Sequence, residues 1–104
     1  MVLVRFVFAD EQGEKRRPVL VLSTDGYHAG RAEVVVAAIT SNAGRILPGD
    51  CLLKEWRRAG LAKSSVATGI LRTIKGAMID AKLGILANVD LKAVEDRLRW
   101  TLDL

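Results

Sequence analysis

The apolar residues of this chain fall into short blocks parted by polar, glycine-bearing breaks, a rhythm that predicts strands along most of its length. Residues 2–8 (VLVRFVF) are rich in β-branched and aromatic side chains and predict a first strand, ended by a polar break over 10–15 that contains Gly13. Residues 18–23 (PVLVLS) predict a second strand, with Pro18 at its start because a proline has no N–H to give to a ladder. A loop with two glycines is expected over 24–30. Residues 33–40 (EVVVAAIT) are apolar on both faces, which predicts a central strand. Residues 41–50 (SNAGRILPGD) read as loop, 51–53 as a short strand and 55–61 as a turn. A strand over 65–74 is interrupted at Gly69, followed by one helical turn over 76–81 and a short last strand over 82–86.

Helical periodicity is confined to residues 88–102. Leu91, Val94, Leu98 and Leu102 recur at spacings of three and four and so share one face. Asp90, Lys92, Glu95, Asp96, Arg97 and Arg99 fill much of the remainder, and Asn88 is the expected N-cap. Strands followed by one terminal helix predict a mainly β fold: a small antiparallel barrel or strongly curled sheet, with the helix packed on one face. At 104 residues the chain is expected to form a single domain over 1–104 with one modest core.

Composition narrows the function classes. The chain is 50% hydrophobic and 27% charged, as in a folded globular protein. A net charge of +4 favours a polyanionic partner such as nucleic acid, although many proteins carry this charge without one. Cys51 is the single cysteine and His28 the single histidine, so an internal disulfide is excluded and neither a zinc site nor any other metal site is expected. No apolar run reaches the roughly 18–20 residues of a membrane span. The first ten residues lack the layout of a signal peptide, so cytoplasmic residence is expected.

Three segments carry a resemblance. Phe6-Val7-Phe8-Ala9-Asp10 precedes Gly13-Glu14-Lys15-Arg16-Arg17-Pro18 and an apolar strand; Val36-Ala37-Ala38-Ile39 ends in Thr40-Ser41; Arg72-Thr73-Ile74 precedes Leu83-Gly84-Ile85-Leu86 and the helix. In this order and spacing they span nearly the whole chain and resemble the MazF/PemK/Kid family of type II toxins. The resemblance implies an SH3-like β-barrel with a C-terminal helix, usually a homodimer. It also implies a metal-independent, cofactor-free endoribonuclease that cleaves single-stranded RNA such as mRNA and is neutralised by a cognate antitoxin. The family's catalytic pair falls on Arg17 and Thr40.

The residue types suit that chemistry. Attack of an RNA 2′-OH on its own phosphate requires removal of a proton, stabilisation of the phosphorane oxygens and protonation of the leaving 5′-oxygen. Arg17 offers a planar fork that can give two hydrogen bonds to phosphate, held beside the fixed backbone of Pro18; the alternative is a solvated loop arginine next to Lys15 and Arg16. Thr40 can bond a phosphate oxygen or orient Arg17, or else cap local backbone, and Ser41 can do the same. Arg72 and Arg45 are candidate RNA contacts beside Lys54, Arg57 and Arg58, or plain exposed cations. Trp56 is open to base stacking or to partial burial. His28 is by residue type a candidate proton shuttle, but it lies in a loop and reads first as a surface histidine.

The chain departs from the family in three places. An acidic pair before the first strand is missing, the common Phe-Pro-Phe is Phe6-Val7-Phe8, and the stretch 66–71 before Arg72 carries no charge. These departures keep a second reading open: an inactive or non-enzymatic relative on the same barrel that grips nucleic acid or a protein target such as gyrase. Convergence of Arg17 and Thr40 discriminates the two, because a pure binder has no need of it.

Overall fold

The computed structural model describes residues 1–11 and 13–104, with residues 8–10 described by their backbone; Gln12, in the predicted polar break, lies outside the described residues. Six strands form one sheet: β1 (Val2–Asp10), β2 (Gly13–Val21), β3 (Glu33–Thr40), β4 (Cys51–Leu52), β5 (Val66–Lys75) and β6 (Ile79–Ile85). Their order is β4-β5-β3-β2-β1-β6, and every neighbouring pair is antiparallel. β3 is interior, as its unbroken apolar run predicts. Among the described residues β4 and β6 are edges that do not pair with each other, so the sheet is a curled half-barrel. Helix α2 (Asn88–Leu102) follows, and a short helix α1 (Asp25–Ala29) joins β2 to β3.

Alternation along the strands gives the sheet two apolar faces. Leu3, Leu20, Ala37 and Ile39 join Leu53, Ala59, Leu61, Leu86 and Val94 in the larger core, against which Leu91 and Leu98 of α2 also pack. Val4, Phe6, Val19, Val34, Val36 and Ile74 form the second cluster, on the other face. A fully buried leucine such as Leu20 contributes about 1.5–3 kcal/mol from apolar burial.

Two contacts tie the long connection between β4 and β5 to the rest. Asp90 is 1% exposed, and its carboxylate accepts from the backbone N–H groups of Lys54 and Glu55 at 2.8 Å each. Gly60, with φ of +93°, meets the backbone of β6 so closely that a Cβ would collide with the Leu83 carbonyl oxygen.

Several local expectations change. Residues 25–29 form a helical turn rather than loop, because Thr24 Oγ1 accepts from the Tyr27 N–H at 3.2 Å and caps it. Pro18 lies inside β2, not at its start. β3 pairs only with Val19–Val21, so no β3 partner stands beside Pro18 to require its missing N–H. The N-cap of α2 is Ala87, without a side-chain bond, so Asn88 is the first helical residue. Asp90, expected on the polar face, is buried, whereas Leu102, expected in the core, is 50% exposed in the last turn. A 3₁₀ turn occupies Gly76–Met78, and β6 starts three residues earlier than expected, at Ile79.

The interruption at Gly69 becomes a bulge. Ala37 pairs with Leu71 and Ile39 with Ala67, so residues 68–70 of β5 face Ala38 alone. Thr68 Oγ1 donates to the Ala38 carbonyl at 2.7 Å, and the Gly69 N–H donates to Asp50 Oδ1 at 2.8 Å.

Candidate active-site cleft

The β2–β3 register decides where Arg17 and Thr40 stand. Val19 pairs with Ala38 at the end of the β2–β3 ladder, and Arg17 and Thr40 lie two residues beyond that pair in their strands. On its other side Arg17 pairs with Phe6 of β1. Alternation puts Arg17 on the face of Val19 and Thr40 on the face of Val34 and Val36, which is the same face. Both residues line one cleft of about 240 Å³, together with Pro18, Ser41, Lys63 and Ser65.

The groups in this cleft are poised for an anion. Arg17 is exposed and has no acidic partner among the described residues. Other arginines are engaged: Arg5 and Arg16 donate to Asp80 at 3.1 and 3.2 Å, Arg31 to Glu33 at 2.9 Å, and Arg99 to Asp96 at 3.4 Å. Thr40 is half-buried, and its Oγ1 accepts from the Asn42 N–H at 3.2 Å, which leaves the hydroxyl hydrogen to donate outward. Lys63 adds a second cation. Ser65, 4% exposed, donates to the Lys63 carbonyl at 2.7 Å, and the Leu53 N–H donates to the Ser65 carbonyl at 3.0 Å, which fixes the backbone beneath Lys63. No described carboxylate lines the cleft.

Two further clefts continue it. Arg17, Pro18 and Ile39 are shared with a cleft of about 160 Å³ that Phe6, Val36, Ile74 and Arg72 complete. Thr40 is shared with a cleft of about 290 Å³ that holds Asn42 and Arg45. The structure therefore gathers Arg17, Thr40, Ser41, Arg72 and Arg45 along one track. Trp56 stands apart from these clefts: it packs on the larger core, with the Arg57 guanidinium 4.7 Å above its ring. A larger cleft, about 470 Å³, contains His28 but no arginine or lysine among its described lining residues, so it lacks the counter-charge a phosphate needs. There the His28 Nε2 lies 2.6 Å from Ser23 Oγ. Cys51 is buried, and burial pushes its thiol pKa up, which disfavours the thiolate a nucleophile needs. Among the described residues no three His, Cys, Asp or Glu side chains converge as metal ligands would.

Lys63 is the residue that sequence reasoning missed. It sits in a loop without periodicity, and its one local signal is its place just before the apolar start of β5.

A six-stranded curled half-barrel with a C-terminal helix and a cleft lined by Arg17, Thr40 and Lys63 defines a class of small β proteins, and the comparisons specify it. The family described as "PemK-like, MazF-like toxin of type II toxin-antitoxin system" matches residues 1–102. The Endoribonuclease MazF6 of Mycobacterium tuberculosis is 34% identical over 95 residues, which covers 89% of this chain and 83% of that protein. The Endoribonuclease MazF2 of Mycobacterium bovis matches with the same identity and coverage. Among solved structures, the Mycobacterium tuberculosis toxin MazF-mt6 superposes with a TM-score of 0.76 at 24% identity, covering 97% of each chain. The MazE-MazF crystal structure (Form-III) from Deinococcus radiodurans gives a TM-score of 0.79 at 24% identity, covering 99% of this chain and 94% of that one. The chain belongs to the PemK-like, MazF-like toxin family of type II toxin-antitoxin systems.

Proposed function

We propose that the protein is a toxin endoribonuclease that cleaves single-stranded RNA at the Arg17–Thr40 cleft without a metal or other cofactor. The observation that carries this reading is a single cleft lined by Arg17, which has no acidic partner among the described residues, by Thr40, whose hydroxyl hydrogen is uncommitted, and by a second cation, Lys63. In the reaction the RNA 2′-oxygen forms a bond to phosphorus and the bond to the 5′-oxygen breaks. The products are a 2′,3′-cyclic phosphate and a 5′-hydroxyl. The 2′-OH proton leaves and the 5′-oxygen gains one. Arg17 holds two non-bridging oxygens as charge grows on them, and Thr40 and Ser41 donate to the same phosphate. Lys63 and Arg72 hold phosphates to either side, which makes binding salt-sensitive.

In this reading residues 1–104 act as one unit, the active form is a homodimer in the cytoplasm, and a cognate antitoxin neutralises it. Family membership supports the toxin role, and the Mycobacterium relatives are named as endoribonucleases. No described helix is long and apolar enough to cross a membrane.

The test is incubation of the purified protein and of Arg17→Ala with a long RNA in EDTA. The expected result is cleavage by the first, with cyclic-phosphate ends, and none by the second. Failure of both to cut varied RNAs overturns the enzymatic reading.

A further inference from the structure

Beyond Thr40, the cleft of about 290 Å³ is built differently from the central one. Most of its polar groups are committed to scaffold. Thr68 Oγ1 donates to the Ala38 carbonyl at 2.7 Å and accepts from the Ile70 N–H at 3.2 Å. The Asp50 carboxylate accepts from the Gly69 N–H at 2.8 Å and the Leu47 N–H at 3.0 Å. These bonds hold the 41–50 loop against the β5 bulge and so fix both walls. Two recognition groups remain uncommitted: the Asn42 amide and the Arg45 guanidinium, both exposed and without a side-chain partner among the described residues. The same walls present Ile70, 60% exposed, and Leu47, 48% exposed.

Apolar walls, one amide able both to donate and to accept, and one cation fit a flat heterocycle with a polar edge that is tethered to a phosphate. We propose that this cleft is a base-reading subsite. In it one nucleobase beside the scissile phosphate lies against Ile70 and Leu47, Asn42 reads its edge, and Arg45 holds the neighbouring phosphate. The occupant is RNA rather than a protein segment because the cleft is continuous through Thr40 with the cationic one and adds to it another unpaired arginine. The inference rests on the reading that the central cleft cuts RNA. Asn42 is then a specificity-determining residue: its side chain selects a base, while the backbone N–H of the same residue orients the Thr40 hydroxyl. One loop thus links where the chain cuts to how it cuts.

The experiment uses a pool of RNAs randomised around the cut and sequencing of the product ends, with the unaltered protein, Asn42→Ala, Asn42→Asp and Ile70→Ser, each checked for an unchanged melting temperature. Asn42→Ala is expected to lower discrimination at one position flanking the cut by about ten- to a hundredfold, the scale of one good bidentate side chain–base pair. Asn42→Asp, which replaces a donor by an acceptor, is expected to change which base is preferred at that position. Ile70→Ser is expected to slow cleavage of all sequences alike and leave their ranking intact. Unchanged base preference in both folded Asn42 variants, with cleavage retained, overturns this inference alone. Absence of cleavage by the unaltered protein overturns the ribonuclease reading and this inference with it.

Discussion

On the face that carries Leu3, Leu20 and Ile39, the sheet is covered by α2 and the 53–65 loop, and the polar groups that come with them are matched. The Asp90 carboxylate takes two backbone N–H groups, and Ser65 closes its own turn. Beyond the end of the β2–β3 ladder, and beside Phe6, Val19 and Val36 on the other face, clefts open in which Arg17, Arg45 and Arg72 have no acidic partner among the described residues. Unpaired charge is tolerated there because the side chains are exposed to water, whereas an unmatched group beneath α2 would lose that solvation. The difference separates residues that hold the molecule together from residues left available to a ligand, although the two sets alternate along the same strands.

Substitutions can break or sharpen that contrast. The largest stability effect is expected beneath α2: Leu20→Ala should cost about 2–5 kcal/mol in denaturant unfolding, with cleavage per folded molecule retained. Asp90→Ala should cost less, about 1–3 kcal/mol, because it strands the N–H groups of Lys54 and Glu55 in a buried site. Its activity, measured below the melting transition, should also persist. If either variant unfolds no more easily than the unaltered protein, the account of the covered face is wrong.

The smallest effect belongs to Asp80. Its hydrogen bond from Arg5, and then that from Arg16, hold its carboxyl below the usual carboxylate range. A folded-state pKa below the unfolded one stabilises the protein above the unfolded value and is lost as pH falls through the folded value. Asp80→Asn should therefore lower the melting temperature slightly at pH 7, and the gap should close as pH falls below about 4. A gap that widens in acid would contradict this assignment.

Much of the fold was legible because long-range features have sequence signatures. The unbroken apolar run of 33–40 marked the interior strand, leucines at helical spacing marked α2, and Gly69 marked the bulge. What escaped depends on partners distant in sequence. Asp90 looks like any charged residue of a surface helix until the 53–65 loop folds over it, and Pro18 looks like a strand start until β3 is seen to pair only beyond it. Lys63 escaped for the same reason: only the return of β5 alongside β3 brings the end of that loop next to Thr40. Arg17 and Thr40 were legible through resemblance, and their meeting in one cleft beyond the end of the β2–β3 ladder depends on tertiary packing, which no local pattern encodes.

The central claim is that Arg17 and Thr40 act together on one phosphate, and a double-mutant cycle on single-turnover RNA cleavage tests it most directly. Arg17→Ala alone should slow cleavage by about 10²–10³-fold, the scale of one lost oxyanion donor. Thr40→Val alone should slow it by less. The double variant should be little slower than Arg17→Ala, with melting temperatures unchanged throughout. Losses that multiply independently, or an Arg17→Ala variant that cuts as fast as the unaltered protein, would contradict the account.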